Sequence, residues 1–361
     1  MAGYQSLASG ASRRMRFSVN KPMNAQNQHY VPRFILRHFL ANDQKEQVAV
    51  YDKHTDRTFT TAIKNIMAER RFHDFTFEDW TVSYENIVSR VEEVVLPTYS
   101  RVVAEGRLRR TNEEKANLAL LIAFQFMRTK SHRNIAQELE GEIRKKVEGM
   151  GGRMEDLEGW KPSTEDDIKR EHLQDLQRNV GRYAKIIAEK HIFLSNASKG
   201  RGFYLGDNPV CLNNGRDFGP YGNLGLAVPG IEMYLPLTSD LMLAAWCPSI
   251  IPSMRGSLAK AKASHESDLL TEVMAGRLNG EAMRTALSQM EPYYQQTEQK
   301  IATFEGNDPV NSDTENMDFY NSMQMRYAHR YVISKHADFD LAVRYNREFP
   351  HLRTGPRISF G

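Results

Sequence analysis

Two glutamates at helical spacing are the first residues that could carry chemistry. Glu85 and Glu92 are seven residues apart, so both side chains project from one face of a helix. In a strongly apolar segment further along, Gln125, Arg128 and His132 are spaced by three and four and also share a face. Because an unpaired charge in an apolar environment is costly, we predict that the Glu85/Glu92 face packs against the Gln125/Arg128 face.

Two interpretations of this pairing stay open. In the first, the charges form an ion-pair network whose only role is to fix the packing of two helices. In the second, they line a cleft, where the paired carboxylates hold a divalent cation or act as acid and base.

Asp207 is a third candidate carboxylate. It follows a predicted strand and precedes Asn208 and Pro209, which is typical of a turn, since Asp and Asn side chains cap the nearby backbone. A carboxylate at the end of a strand can also serve as a metal ligand or a base. We therefore treat Asp207 as a candidate catalytic and metal-binding residue, and Asn208 as a candidate ligand contact.

Histidine and amide side chains complete the set of candidates. His29 lies beside aromatic residues, where a histidine is typically a hydrogen-bonded core residue, and it becomes a candidate acid or base only if the fold places carboxylates near it. Asn321 and Gln324 are three residues apart on a predicted helix. Together with Gln125 and Arg128, they are candidates for contacting an anionic ligand.

Helical patterns position most of these residues. An apolar stripe beginning at Tyr84 predicts a helix that Pro97 interrupts, and Thr111 with Glu114 forms a capping pair that opens the next helix. Residues 116–127 are apolar on every face, which is typical of a helix buried inside a domain. Another long helix is predicted over residues 164–189.

Strand patterns supply the remaining candidates. Segments with β-branched residues separated by turn residues predict three hairpins: residues 47–52 with 57–61, 191–195 with 202–205, and 233–237 with 241–246. The fold class that we predict is α+β and mainly helical, with a small antiparallel sheet enclosed by long helices.

Length and charge bound the organisation of the chain. Its 361 residues, 40 % hydrophobic, can bury a sizeable core. We predict a basic disordered tail over residues 1–26, a single α+β domain over residues 27–349 and a C-terminal tail over residues 350–361. The net charge of +3 is too close to zero to imply an obligate polyanion binder.

Composition also predicts a compartment. Cys211 and Cys247 lie in apolar surroundings without CxxC spacing, which favours reduced core cysteines over a disulfide framework. The N-terminal residues lack the apolar stretch of a secretory signal. The longest apolar run, residues 116–127, is well short of the roughly 20 residues that span a bilayer. We therefore predict a cytoplasmic protein without a membrane partner.

Several standard catalytic motifs are absent from the sequence. It contains no GxxxxGK[ST], GxGxxG, HExxH or GxSxG, and no paired-cysteine zinc spacing. P-loop hydrolysis, Rossmann dinucleotide chemistry and zinc-protease chemistry are therefore poorly supported, and the chain has no nucleotide-cofactor motif.

Four separated stretches together resemble a known family. Taken in order, residues 29–34, 125–128, 206–210 and 321–334 are similar to an uncharacterised bacterial and fungal family. Its members carry H-Y-V-P-x-[FY], an Arg followed by Thr on a buried helix, an S-D-x-P-V strand end and a final helix with spaced Asn and Gln. This family is a domain of unknown function. The resemblance places six residues on its motif positions: His29, Arg128, Asp207, Pro209, Asn321 and Gln324.

This chain departs from the family pattern at two positions. Gly206 stands where Ser is usual, and Lys130 stands where Pro is frequent. Because Gly206 lacks a hydroxyl, the resemblance does not support a mechanism that needs a serine nucleophile at that position.

Polar residues drawn from distant segments favour a converged site, because a partly satisfied buried network is worse for stability than an apolar core. The first hypothesis is a metal-assisted hydrolase, nuclease-like or nucleotide-hydrolase-like. Glu85, Glu92 and Asp207 would hold Mg²⁺ or Mn²⁺, with His29 as acid or base and Arg128 on a phosphate oxygen. Its partner would be a nucleic acid or a nucleotide, to which the basic tail would add weak attraction.

Two alternatives stand beside the hydrolase. One is a non-catalytic sensor that binds an anionic or nucleotide-like ligand through Gln125, Arg128, Asn321 and Gln324. The other is a structural or partner-binding protein whose polar network only orders the core. The sequence predicts neither the substrate nor the oligomeric state.

Overall fold

The computed structural model describes residues 27–77, 80–216, 218 and 223–356. The basic tail predicted for residues 1–26 lies outside the described residues. In the described part, the α-helices are α1 (Arg33–Leu36), α2 (Glu85–Glu105), α3 (Asn112–Met127), α4 (Lys130–Gly149), α5 (Glu165–Ala188), α6 (Ile250–Met274), α7 (Gly280–Thr303), α8 (Thr314–Tyr327) and α9 (Asp340–Glu348).

Threonine caps start two of the long helices where the sequence predicts them. The Thr111 hydroxyl accepts a hydrogen bond from the Glu114 backbone N–H at 3.1 Å and opens α3. Thr164 and Asp167 bond each other's backbone reciprocally and open α5. Each cap satisfies N–H groups that have no partner inside the helix.

Two helical predictions are wrong in detail. Helix α2 continues through Pro97 to Glu105, because Pro97 lies on the exposed side, where water can bond the backbone carbonyl that proline leaves free. The buried helix α3 ends at Met127, and His132 belongs to α4, which Thr129 caps. His132 therefore does not continue the Gln125/Arg128 face.

The strands of the described residues are short. They are β1 (Asn27–His29), β2 (Gln47–Asp52), β3 (Arg57–Ala62), β4 (Ala68–Arg70), β5 (Asp74–Phe77), β6 (Trp80–Ser83), β7 (His191–Asn196), β8 (Leu205–Gly206), β9 (Cys211–Asn213), β10 (Glu232–Pro236), β11 (Leu241–Trp246), β12 (Val310–Asn311) and β13 (Tyr331–Ser334).

Two larger sheets contain most of these strands. One has the order β12-β7-β11-β10-β9, in which β12 is parallel to β7, and the other is antiparallel with the order β3-β2-β13-β8. Strands β1 with β4 and β5 with β6 form two small antiparallel pairs. The hairpins β2–β3 and β10–β11 confirm two of the three predicted hairpins.

The third predicted hairpin is wrong. Strand β7 pairs with β11 and β12, whereas β8 pairs with β13. The glycines between β7 and β8 therefore carry the chain from one sheet to the other instead of folding it back on itself.

The two ends of the described chain meet at the antiparallel sheet. Strand β13 lies between β2 and β8. Beside it, the buried Lys53 ammonium donates hydrogen bonds to the backbone carbonyls of Met325, Ala328 and Leu352 at 2.5, 2.6 and 2.8 Å. This lysine supplies donors to carbonyls at the end of α8 that have no partner inside the helix.

One large apolar core joins both halves of the described chain, since it contains residues from Tyr30 to Ile333. With 52 % of the described residues helical and only small sheets between the helices, the predicted mainly helical α+β class is confirmed. No helix in the described ranges is both long and apolar enough to cross a membrane.

Candidate functional site

The predicted pairing of glutamate with Arg128 is present. Arg128 lies at the end of α3 and is 1 % exposed. One guanidinium nitrogen donates to Glu92 Oε1 at 2.6 Å, and the other donates to the backbone carbonyl of His29 at 2.5 Å. Helices α2 and α3 and strand β1 are therefore joined at a single buried cation, which also lies 4.7 Å from the Phe124 ring centroid.

Glu85 has a different partner from Glu92. Its Oε2 accepts from Nδ1 of His73 at 2.9 Å, and the His73 ring is almost fully buried between α2 and the small strands. The backbone N–H of His73 donates to Gln28 Oε1 at 2.6 Å, which ties this pair to β1. We refer to His29, His73, Glu85, Glu92 and Arg128 as the polar cluster.

The glutamates form the accessible edge of the polar cluster. The side chains of Glu85 and Glu92 are 36 % and 31 % exposed, whereas those of His73 and Arg128 behind them are each 1 % exposed. Within the described part of the chain, the second carboxylate oxygen of each glutamate has no hydrogen-bond partner. Each carboxylate is thus held from inside by one oxygen and is free to meet a ligand with the other.

The tautomer of His29 follows from its contact with Ile63. A carbonyl oxygen can only accept, so the 2.9 Å contact between Nε2 and the Ile63 carbonyl places the proton on Nε2 and leaves an electron pair on Nδ1. Burial lowers the pKa of His29 below its ordinary value, and the nearby positive charges of Arg33 and Arg128 act in the same direction. His29 is therefore predominantly neutral at pH 7.

Burial likewise lowers the pKa of His73, against the opposing effect of Glu85. For Glu85 itself, burial acts to raise the pKa, but the hydrogen bond from His73 and the charge of Arg128 outweigh it and hold the pKa below its usual value. At neutral pH the cluster therefore combines an ionised carboxylate, a buried guanidinium and two neutral imidazoles.

Buried polar atoms without partners concentrate around this cluster. Within the described ranges, Nε2 of His73, Oε1 of Gln125, Nε of Arg128 and Nδ1 of His172 are buried and have no hydrogen-bond partner. Gln125 otherwise donates to the Tyr30 carbonyl at 3.1 Å. Buried polar groups are usually paired, so such a concentration indicates a place where water or a ligand group binds.

Asp207 lies at the end of β8 and bonds the start of β13. Its two carboxylate oxygens accept from the backbone N–H groups of His329, Arg330 and Tyr331 at 2.7, 3.0 and 3.1 Å. These bonds use most of its capacity to accept and tie two strands together. No contact joins Asp207 to Glu85 or Glu92 among the described residues, and its role as a base or metal ligand stays a prediction.

The amide side chains predicted to contact a ligand also form hydrogen bonds with backbone groups. Asn321 accepts from Tyr204 N at 2.8 Å and donates to the Gly202 carbonyl at 3.1 Å. Gln324 bonds the backbone at Gly206 and Pro209, and Asn208 donates to the Tyr327 carbonyl at 3.3 Å. Their ligand-binding roles stay predictions, since a ligand would have to displace these bonds.

The expected three-carboxylate metal site has no support in the structure. In the ranges that the structure describes, no group of three or more His, Cys, Asp or Glu side chains is placed to hold a metal ion. Glu85 and Glu92 lie on one helix, two turns apart, and Asp207 lies on another element.

Two buried histidines, His73 within the polar cluster and His172 beside it, are not predicted from the sequence. His73 precedes a strand without a periodic pattern that would expose its role. His172 lies four residues before Leu176 on α5, and this spacing on an apolar face was the available signal. His172 Nε2 donates to the carbonyl of Met127 at 2.7 Å, and Met127 is the residue that precedes Arg128.

Comparisons with known proteins agree with the family resemblance. Residues 27–338 match the family described as "Protein of unknown function (DUF4238)". The search of curated proteins and the search of solved structures gave no match. Since the family match covers most of the chain, including the polar cluster and Asp207, this protein belongs to the DUF4238 family.

Proposed function

We propose that this chain hydrolyses phosphodiester bonds in a nucleic acid or a nucleotide, with the polar cluster as its active site. The observation that carries the proposal is the state of His29. Its Nε2–H is held by a backbone carbonyl and its Nδ1 has a free electron pair, while Arg128 is bonded to its backbone. A neutral imidazole with a fixed tautomer is suited to act as a general base.

Each member of the cluster has a distinct role in this proposal. His29 Nδ1 takes a proton from the attacking water as the water oxygen bonds to phosphorus, the P–O ester bond breaks, and the leaving oxygen takes a proton from solvent. The buried Arg128 charge stabilises, from behind the glutamates, the negative charge that develops on the phosphate oxygens. Glu92 keeps Arg128 in position, and His73 keeps Glu85 in position. The carboxylate of Asp207 accepts hydrogen bonds from backbone N–H groups, and this proposal assigns it no step on the substrate.

In this proposal a free oxygen of Glu85 or of Glu92 would be the protein ligand of a divalent ion of the Mg²⁺ type. Such an ion is commonly bound by one or two carboxylates, with water and substrate phosphate as its other ligands. Bound Mg²⁺ or Mn²⁺ would add positive charge at the phosphate. The two glutamates are two helical turns apart, so the protein would supply few of the ligands of the ion. The substrate phosphate and water would supply the others.

The test is hydrolysis of bis(p-nitrophenyl) phosphate and of single- and double-stranded DNA and RNA, measured with Mg²⁺, Mn²⁺ or EDTA. We expect turnover by the wild type and a loss of at least ~100-fold in His29→Gln, the range typical of a missing general base. Glu92→Gln should also lose activity. Glu93→Gln removes the charge of an exposed neighbour on the same helix and should keep it.

Two results would overturn the proposal. One is full activity in a folded His29→Gln variant, and the other is a wild type that hydrolyses none of these substrates. Activity that persists in EDTA would show that hydrolysis needs no divalent ion, and the acid–base role of His29 would still stand.

A binding module without chemistry is the second candidate, with an anionic or nucleotide-like ligand. The unpaired Gln125 Oε1 and Arg128 Nε favour it, because they place an acceptor and a donor three residues apart on α3. This candidate predicts that nucleotides raise the melting temperature of the wild type without being consumed, and that Gln125→Leu abolishes the shift.

A further inference from the structure

A separate cavity lies far along the chain from the polar cluster. It has a volume of about 230 Å³ and opens between the five-stranded sheet, the end of α7 and the start of α8. Drug-sized ligands usually occupy cavities of ~300 Å³ or more, so this one suits a smaller molecule. None of the residues of the polar cluster contributes to its walls.

Aromatic rings form much of the wall. Trp246 and Phe304 lie with their centroids 4.8 Å apart, and Tyr234, Phe319 and Tyr320 form a second group with centroids 5.0 to 5.9 Å apart. Aromatic faces carry partial negative charge and attract cations. Phe319 is 38 % exposed, so part of this aromatic residue is open to solvent.

A carboxylate completes the cavity. Glu232 Oε2 accepts from the Tyr234 hydroxyl at 2.6 Å and from Asn213 Nδ2 at 2.9 Å, and Trp246 Nε1 donates to the Tyr234 hydroxyl at 3.0 Å. This chain of bonds fixes the carboxylate and two of the rings relative to one another. In the described part of the protein, Glu232 has no salt-bridge partner and its Oε1 accepts no hydrogen bond.

The electrostatic environment of Tyr320 points in the same direction. Burial raises the pKa of Tyr320 to about 12, and the negative charges of Glu232 and Asp313 add to this effect. Two carboxylates therefore act on Tyr320, which lines the cavity, and Glu232 forms no salt bridge among the described residues.

We propose that this cavity is a binding site for a small organic cation, an alkylated ammonium group that sits among the rings and pairs with Glu232. An ammonium group gains from both features at once, whereas a neutral molecule of the same shape gains only from apolar contact. The site is independent of the proposed hydrolase.

The probes are choline and its neutral isostere 3,3-dimethylbutan-1-ol, titrated into the full chain and followed by the line width of the ligand methyl signal in NMR. We expect choline to bind at least tenfold more tightly than the neutral isostere. Glu232→Gln should remove that preference. Glu315→Gln removes an exposed charge from the first turn of α8, the helix that forms part of the cavity wall. This control variant should keep the preference for choline.

Equal binding of the two probes, or no binding of choline, would overturn the proposal. If Glu232→Gln lowers the stability of the fold, Phe319→Leu replaces an exposed ring and tests the aromatic contribution instead. Choline affinity that is unchanged in a folded Phe319→Leu variant would also contradict the aromatic site.

Discussion

Gln324 acts toward Gly206 as a neighbouring strand would. Its Oε1 accepts from the Gly206 N–H at 2.8 Å, and its Nε2 donates to the Pro209 carbonyl at 2.9 Å. A methyl group at Gly206 would lie 3.2 Å from Gln324 Oε1, so the approach of helix to strand is as close as a glycine permits. One side chain thus satisfies backbone groups on both sides of Asp207.

Replacing this amide should destabilise the fold strongly. Gln324→Leu keeps most of the buried volume but leaves the Gly206 N–H and the Pro209 carbonyl without partners, at a cost of roughly 1–3 kcal/mol for each buried group. We expect a decrease of about 3 kcal/mol in the free energy of unfolding, measured with urea. Ser322→Ala on the same helix should change it little, and equal stability of the two variants would contradict a bridging role for Gln324.

The Arg128–Glu92 pair should show strong coupling in a double-mutant cycle. Glu92→Leu leaves a buried guanidinium charge without its carboxylate, which typically costs ~3–5 kcal/mol in a buried pair, although less here because Glu92 is 31 % exposed. Adding Arg128→Met removes the stranded charge, so the double variant should recover part of the stability lost in Glu92→Leu. Strictly additive losses would show that the two side chains do not interact.

Acid should destabilise the protein through His172. Burial lowers the pKa of this histidine to about 3 from an ordinary value of 6.5. The folded state therefore keeps it neutral while the unfolded chain takes up a proton. Its contribution is fully present above pH 6.5 and is lost as the pH falls from 6.5 toward 3, by about 2 kcal/mol at pH 5.

The variant His172→Gln tests this directly, because an amide can still donate to the Met127 carbonyl but does not titrate. Chemical unfolding between pH 7 and pH 5 should show a smaller decrease in stability for the variant than for the wild type. His351→Gln, at an exposed site, serves as the control and should follow the wild type. Parallel pH curves for wild type and His172→Gln would rule out the assignment.

Local signals in the sequence were sufficient for several elements. Thr111 and Thr164 mark their helices because a cap depends only on residues within one turn. The hairpin β2–β3 was predicted because its turn joins strands that are adjacent in sequence. The partner of β7 was not, because β11 and β12 lie at least 45 residues further along the chain and no local pattern encodes a pairing over that distance.

The candidate site shows the same limit. That Arg128 needs a carboxylate partner follows from its apolar surroundings, and the seven-residue spacing offered Glu85 and Glu92 as candidates. Which of the two it contacts depends on the position of His73, and nothing in the sequence links His73 to Glu85. Likewise, the spacing of Asn321 and Gln324 shows that they share a helical face, but not that backbone from β8 and its neighbours occupies their amides.

Strand β13 determines when during synthesis the antiparallel sheet of this protein can be completed. It fills the place between β2 and β8, and its neighbour Arg330 pairs with Asp52, 278 positions earlier. Until β13 and the residues that follow it have been synthesised, β2 has an unpaired edge and Lys53 lacks the Leu352 carbonyl, which accepts one of its hydrogen bonds. Contacts between such distant segments form slowly, and an open edge recruits other strands. A nascent or truncated chain should therefore expose a strand edge that can pair with other chains for as long as β13 is missing.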